Sequence, residues 1–259
     1  MHTLAVILAR AGSKGLPDKC VLPLCGRAVL AYSISHAQQS RCVDGIVLTT
    51  DSPHALAVGK LGRISTIQRP AELATDTARV DDVVRHAVSE YEASSSESVD
   101  AVVILYGNVP VRADGVIDRC VELLADAGAD SVRTVTPVTK THPDWLHHLD
   151  GDRMTQFREN SIHRRQDLEP LYYHDGAVVA VTRSSLFAAE GSDDPHAFFG
   201  SDRRAVPQAE EDTVDIDTLA DLYRAEAIIR LANESVFLDA PKGASRRPPF
   251  TGAVAYAGR

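Results

Sequence analysis

The sequence predicts an α/β fold built on a doubly wound, mostly parallel sheet, and three observations carry that expectation. Short, purely apolar runs at residues 4–8 and 101–105 lack polar alternation, as strands buried on both faces do. Between such runs lie amphipathic stretches: Val80, Val83, Val84, Ala87, Val88 and Tyr91 recur at helical spacing. Polar or Gly-containing loops separate the two kinds of segment, the punctuation of successive strand–helix units.

Taken in order, residues 4–8 form the first buried strand and residues 28–39 a helix. A short strand at 46–49 ends at Asp51, and a third is expected at 64–68. Residues 79–91 give the clearest helix, and a Ser-rich break follows at 93–98. A strand at 99–105 precedes a helix with Ile117, Cys120, Val121 and Leu124 on one side, and 131–137 is β-branched and strand-like. From 139 to 204 the periodicity weakens, which suggests an inserted segment that covers the site or packs on a second subunit; within it a strand returns at 176–181. The last helix spans 219–233, with Leu222, Ala225, Ile229 and Ala232 along one face. One domain therefore covers 1–235, and the Pro-, Gly- and Arg-rich residues 236–259 read as a flexible tail. In such sheets ligands bind beyond the carboxyl ends of the strands, so the loops after Leu8, Thr49 and Leu105 are the places to look.

Composition narrows the function. Of 259 residues, 44% are hydrophobic and 24% charged, which is ordinary for a globular protein. A net charge of −9 argues against general binding to nucleic acid or anionic membranes, though not against a small phosphate-bearing ligand. No apolar run is long enough to span a bilayer and no secretory leader opens the chain, so a cytoplasmic location is expected. Cys20, Cys25, Cys42 and Cys120 are scattered without a CxxC pair and read as reduced thiols.

Residues 8–19, LARAGSKGLPDK, place Gly12, Gly15 and Pro17 in one loop with Arg10, Lys14 and Lys19. Glycines let backbone N–H groups approach an anion, and three cations on the same turn suit a polyphosphate. The order is neither that of a P-loop nor GxGxxG. Far along the chain, Asp215 and Asp217 flank Ile216. On a strand, both carboxylates would face the same way while Ile216 enters the core. Such a pair suits a magnesium ion shared with phosphates. Helix capping competes for Asp217, since Thr218 and Asp221 have capping-box spacing; it explains little for Asp215.

With these residues in place, the chain resembles the CMP-sialic acid synthetase (acylneuraminate cytidylyltransferase) family. Its signature loop reads roughly ARxxSKGxPxKN, and RPAELATDTA from Arg69, Arg165 with Gly176 and Ala177, and VDIDT at 214–218 match further motifs. The resemblance covers about residues 3–233. It implies a Rossmann-like nucleotidyltransferase that uses CTP and Mg2+ to attach CMP to an acidic sugar, working as a homodimer. By carry-over, Arg10 and Lys19 would be catalytic. Ala9, Arg10, Ala11, Gly12, Ser13, Lys19, Arg69 and Asn108 would hold the nucleotide. Tyr106, Arg165 and Asp175 would meet the sugar, and Asp215 and Asp217 the metal.

The chain also departs from the family pattern. Cys20 follows the loop lysine in place of Asn, and ILYGNVPVR at 104–112 stands where the family reads LLQPTSPLR. Tyr106, Trp145 and Asp175 replace residues expected around the sugar, so the nucleotide half of the site reads as intact and the acceptor half as rebuilt. Two other readings keep the fold: a pyrophosphorylase acting on a sugar 1-phosphate, and a nucleotide-binding regulator without catalysis.

Overall fold

The computed structural model describes residues 1–12 and 15–238. Strand β1 (Thr3–Leu8) leads through two short strands, β2 (Pro23–Leu24) and β3 (Arg27–Ala28), into helix α1 (Val29–Gln39). Two parallel units follow, β4 (Gly45–Thr50) with α2 (Pro53–Leu61), then β5 (Ser65–Gln68) with α3 (Val80–Ser95). Strand β6 (Ala101–Tyr106), helix α4 (Val116–Ala127) and strand β7 (Ser131–Pro137) continue the alternation. The remainder comprises a hairpin of β8 (His147–Asp150) and β9 (Arg153–Gln156), the long strand β10 (Tyr172–Thr182), α5 (Arg183–Ala188), β11 (Arg203–Pro207) and α6 (Leu219–Leu238).

Seven strands make one sheet in the order β11-β7-β10-β6-β1-β4-β5. β10 runs antiparallel to both β6 and β7, and every other pairing in the sheet is parallel. β1 shows why the sheet needs helices on both faces. Ala5 and Ile7 join the core formed with α1 and α4, whereas Leu4 and Val6 pack with Val84 and Val88 of α3 and Leu186 of α5. All four side chains are fully buried, and the strand's one polar residue, Thr3, is buried as well, so nothing on it marks a solvent side. From β1 the chain first builds outward through β4 and β5, then returns to place β6 on the other flank. That reversal opens a crevice between the loops after β1 and β6.

Several expectations change. Helix α2 was not expected; Ser52 caps it by accepting from the Ala55 N–H, and Pro53 sits at its first turn. Helix α3 runs through the Ser-rich stretch as far as Ser95, and Ser96 closes it in the left-handed conformation. Residues 139–204 are not wholly an excursion from the sheet, because β10 is one of its inner strands. Residues 236–238 continue α6, and the rest of the expected tail lies outside the described residues.

The segment around Asp215 is extended but forms no sheet strand; Val214 makes an isolated bridge to Val111. The alternation inferred from the sequence holds without a ladder. Val214 and Ile216 are buried with Leu24, Val29 and Ala225, leaving the two aspartates on the other side.

Candidate active site

The loop after β1, the loop after β6 and the acidic segment meet beyond the sheet's carboxyl edge. Lys19 opens a 3-10 turn, Lys19–Val21, whose Cys20 is buried in the main core and so anchors the lysine. From there Lys19 Nζ reaches Asp217 Oδ1 at 2.6 Å, bridging 198 positions of sequence. A second contact fixes the same approach: a Cβ placed on Gly15 would stand 2.8 Å from the Asp217 carbonyl oxygen. Only glycine allows the loop this close. Gly107 does the same between the other two loops, donating its N–H to Leu8 O at 2.8 Å where a Cβ would meet that oxygen at 2.9 Å.

The acidic segment is held by Asn108. Its backbone oxygen accepts from Ile216 N at 3.0 Å, while its Nδ2 donates to Ile216 O at 3.1 Å and to Asp215 Oδ1. Helix α6 is capped by other residues. Asp221 Oδ2 accepts from Thr218 N at 2.8 Å, and Thr218 Oγ1 accepts from Asp221 N at 3.3 Å. Capping therefore does not account for Asp215 or Asp217. Burial, and after it the neighbouring charge of Asp217, push the Asp215 carboxyl above its ordinary value. A carboxylate destabilised in this way favours a cation beside it.

The other wall is built from β4 and the segment after β5. Asp51 Oδ1 accepts from Ala11 N at 2.8 Å, which ties the loop's first turn to the end of β4. Arg69 is buried and donates to Thr49 O at 2.9 Å and Ala9 O at 3.3 Å; its buried Nε has no hydrogen-bond partner among the described residues. Arg10 Nη1 pairs with Asp76 Oδ1 at 2.6 Å across the opening. Together these walls enclose a cleft of about 470 Å³.

Of the residues expected from sequence, Ala9, Arg10, Lys19, Arg69, Tyr106, Asn108, Asp215 and Asp217 all line this cleft. Ala11 and Gly12 belong to the loop without lining it, and Ser13 lies outside the described residues. Asp175 is a correction. Its carboxylate is buried and accepts from Thr134 Oγ1, Thr136 Oγ1 at 3.0 Å, Gln208 Nε2 at 2.8 Å and its own neighbour Ala177 N at 3.0 Å. With its lone pairs spent on β7 and the residue after β11, it does not line the cleft. Trp145 likewise turns away, donating Nε1 to Ile162 O at 2.9 Å. Arg165 sits on an exposed 3-10 turn, Arg165–Asp167, and does not line the cleft. Burial pushes the Cys20 thiol up to about 11, so it is an inert packing group.

Three contributors, Asp51, Asp76 and Arg112, were given no role at the site from the sequence. Arg112 is buried and donates to Ala177 O at 2.7 Å, Tyr106 O at 3.1 Å and Ser33 Oγ at 3.0 Å, which shapes the turn carrying Asn108. Its match to the family's LLQPTSPLR segment was the available signal.

The family model described as cytidylyltransferase matches residues 4–185. The chain belongs to the cytidylyltransferase family. Among relatives, an N-acylneuraminate cytidylyltransferase of Streptococcus agalactiae serotype V is 32% identical over 225 residues, covering 85% of this chain and 52% of that protein. The chain thus spans about half the length of that relative. A CMP-N,N'-diacetyllegionaminic acid synthase of Legionella pneumophila is 28% identical over 242 residues, covering 91% of this chain and all of the other. Among solved structures, a CMP:2-keto-3-deoxy-manno-octonic acid synthetase complexed with CTP superposes with a TM-score of 0.67 at 17% identity, covering 90% of this chain and 100% of the other. That likeness supports the cytidylyltransferase fold; the sequence matches carry the family.

Proposed function

We propose that the protein transfers CMP from CTP to an acidic keto-sugar and releases pyrophosphate. The observation that carries this reading is the 2.6 Å contact between Lys19 and Asp217, which joins the basic glycine loop to the paired carboxylates in one cleft. A surface turn with solvated charges would have no reason to meet a segment 198 residues away.

In the reaction a sugar hydroxyl oxygen, giving up its proton to solvent, bonds to the α-phosphorus of CTP as the bond to the β-phosphate oxygen breaks, and pyrophosphate leaves with that electron pair. The protein's part is placement and charge. The loop at Gly15 approaches the phosphates, while Lys19 and Arg10 offset charge on the α-phosphate and the departing pyrophosphate. Arg69, locked to the ends of β1 and β4, forms the nucleoside side. Asn108 serves the nucleotide indirectly, by holding Asp215 and Ile216.

Magnesium fits the donors present. Asp215 and Asp217 offer oxygen ligands, and burial together with the Asp217 charge raises the Asp215 pKa, an environment that a divalent cation would relieve. Among the described residues no cluster of three or more metal-ligating side chains exists, so phosphate and water oxygens would complete the shell. Bound there, the ion would neutralise phosphate charge and acidify the attacking hydroxyl.

A homodimer is part of the proposal. Every residue of the β8–β9 hairpin is exposed, including the cross-strand pair Leu149 (72%) and Met154 (62%). A two-stranded hairpin with an apolar pair in water is marginal alone and suits burial on a second subunit. Arg165, on the same excursion, would then serve the partner's acceptor site. The cytoplasm, where CTP is abundant, is the proposed location; no described helix is long and apolar enough to cross a membrane.

The test incubates the protein with each nucleoside triphosphate, magnesium and a panel of 2-keto sugar acids and sugar 1-phosphates, following pyrophosphate. Release with CTP and a keto-sugar acid is expected. Turnover only with a sugar 1-phosphate, or CTP binding without turnover, would overturn the reading.

A further inference from the structure

Beside the nucleotide cleft lies a second cavity of about 340 Å³, and Tyr106 and Val80 line both. Arg133 of β7 faces into it, half-buried, with its guanidinium carbon 4.0 Å from the Phe199 ring centroid. No carboxylate pairs with Arg133 among the described residues, and no hydrogen bond holds its side chain. The one carboxylate at the cavity wall, Asp81, is already engaged by both Arg79 and Arg85 at 2.9 Å. Arg203 adds a further positive charge nearby, and it joins burial in lowering the Arg133 pKa. An unpaired guanidinium in a partly desolvated cavity is costly unless an anion comes to it.

Position tells which anion. Arg133 stands opposite Val179 of β10, which stands opposite Ile104 of β6, so β10 separates Arg133 from the strand that carries Tyr106. Two strand spacings put its backbone about 10 Å from β6 and farther still from the Lys19 loop after β1. The carboxylate that defines a 2-keto sugar acid sits on the carbon next to the reacting one. It must stay at the Lys19 and Asp215 end with the attacking hydroxyl. Arg133 waits for a different group.

We propose that this cavity reads an oxyanion on the end of the acceptor sugar remote from the reacting hydroxyl, with Arg133 as its counter-charge and specificity-determining residue. This rests on the acceptor reading above and narrows the acceptor to a sugar acid carrying a second negative charge. A planar guanidinium backed by an aromatic ring is held ready for a two-oxygen acceptor.

The test takes the keto-sugar acid turned over fastest in the pyrophosphate assay. It compares two amine derivatives of that scaffold, one with a neutral acetyl group and one with a carboxylate-terminated succinyl group. The wild-type protein should favour the succinyl acceptor roughly tenfold or more in kcat/KM, chiefly through KM. Arg133→Met should collapse that ratio, and Arg133→Lys should keep part of it; the KM for CTP, measured alongside, reports an intact fold. A wild-type preference for the acetyl acceptor, or a preference that survives Arg133→Met, would overturn the inference and leave the CMP-transfer reading standing. No turnover of any keto-sugar acid would remove both.

Discussion

Asp215 illustrates a residue that works against its own fold. Its carboxyl binds a proton more readily in the native protein than unfolded, because burial and Asp217 raise its pKa. The native state therefore holds more protons between the ordinary carboxylate value and the raised one, and this group's contribution falls as pH rises through that window. Asp215→Asn removes the charge while keeping an oxygen for Asn108. Ligand-free Asp215→Asn should melt at the same temperature as wild type or higher near neutral pH, while turnover drops on the order of 100-fold or more. Thermal melts and pyrophosphate release measured on one preparation decide it. Asp217→Asn should move the Asp215 pKa back down, since it deletes the repelling charge and frees Lys19; carboxyl-carbon NMR of the ligand-free protein reads this directly. The meeting of Lys19 with Asp217 was legible because each lies in a short motif whose residue types make sense only around a charged ligand. Asp175 was misread because its partners, Thr134 and Thr136 on β7 and Gln208 just after β11, come from segments whose adjacency no local pattern encodes. Asp175→Ala should accordingly behave as a structural lesion, costing about 2–4 kcal/mol of stability with an unaltered KM for CTP in the folded fraction.

Among the elements, the buried strands and strongly amphipathic helices were readable, whereas those depending on tertiary support were not. β1 and β6 announce themselves by continuous apolar runs, and α3 and α4 by their stripes. α2, with only Ala55 and Gly59 buried, leaves a faint stripe, and α5 is barely more than one turn. The acidic segment alternates like a strand, yet its neighbours supply a single bridge instead of a ladder. Its placement depends on the glycine loop lying flat against it. Gly15→Ala would drive a methyl group into the Asp217 carbonyl, so the loop must lift. The expected result is a rise of about tenfold in the KM for CTP with a stability loss of about 1–3 kcal/mol. An unchanged KM would mean that loop and acidic segment need not touch during turnover.

At the scale of the whole molecule, the hairpin and the sheet make separate demands. If Leu149 and Met154 lie at a subunit interface, the double substitution Leu149→Glu with Met154→Glu should yield monomers by light scattering, and acceptor turnover should fall if Arg165 acts across that interface. A wild-type monomer at working concentration would refute the arrangement. The sheet carries a subtler consequence. β7 is made before β10, yet β10 must come to lie between β7 and β6. Until about residue 182 has been synthesised, the apolar β6 and the β-branched β7 each present a bare hydrogen-bonding edge. Emerging chains are thus vulnerable to neighbours during that interval, and a fragment ending near residue 170 should be recovered as aggregate even though it contains most of the nucleotide cleft.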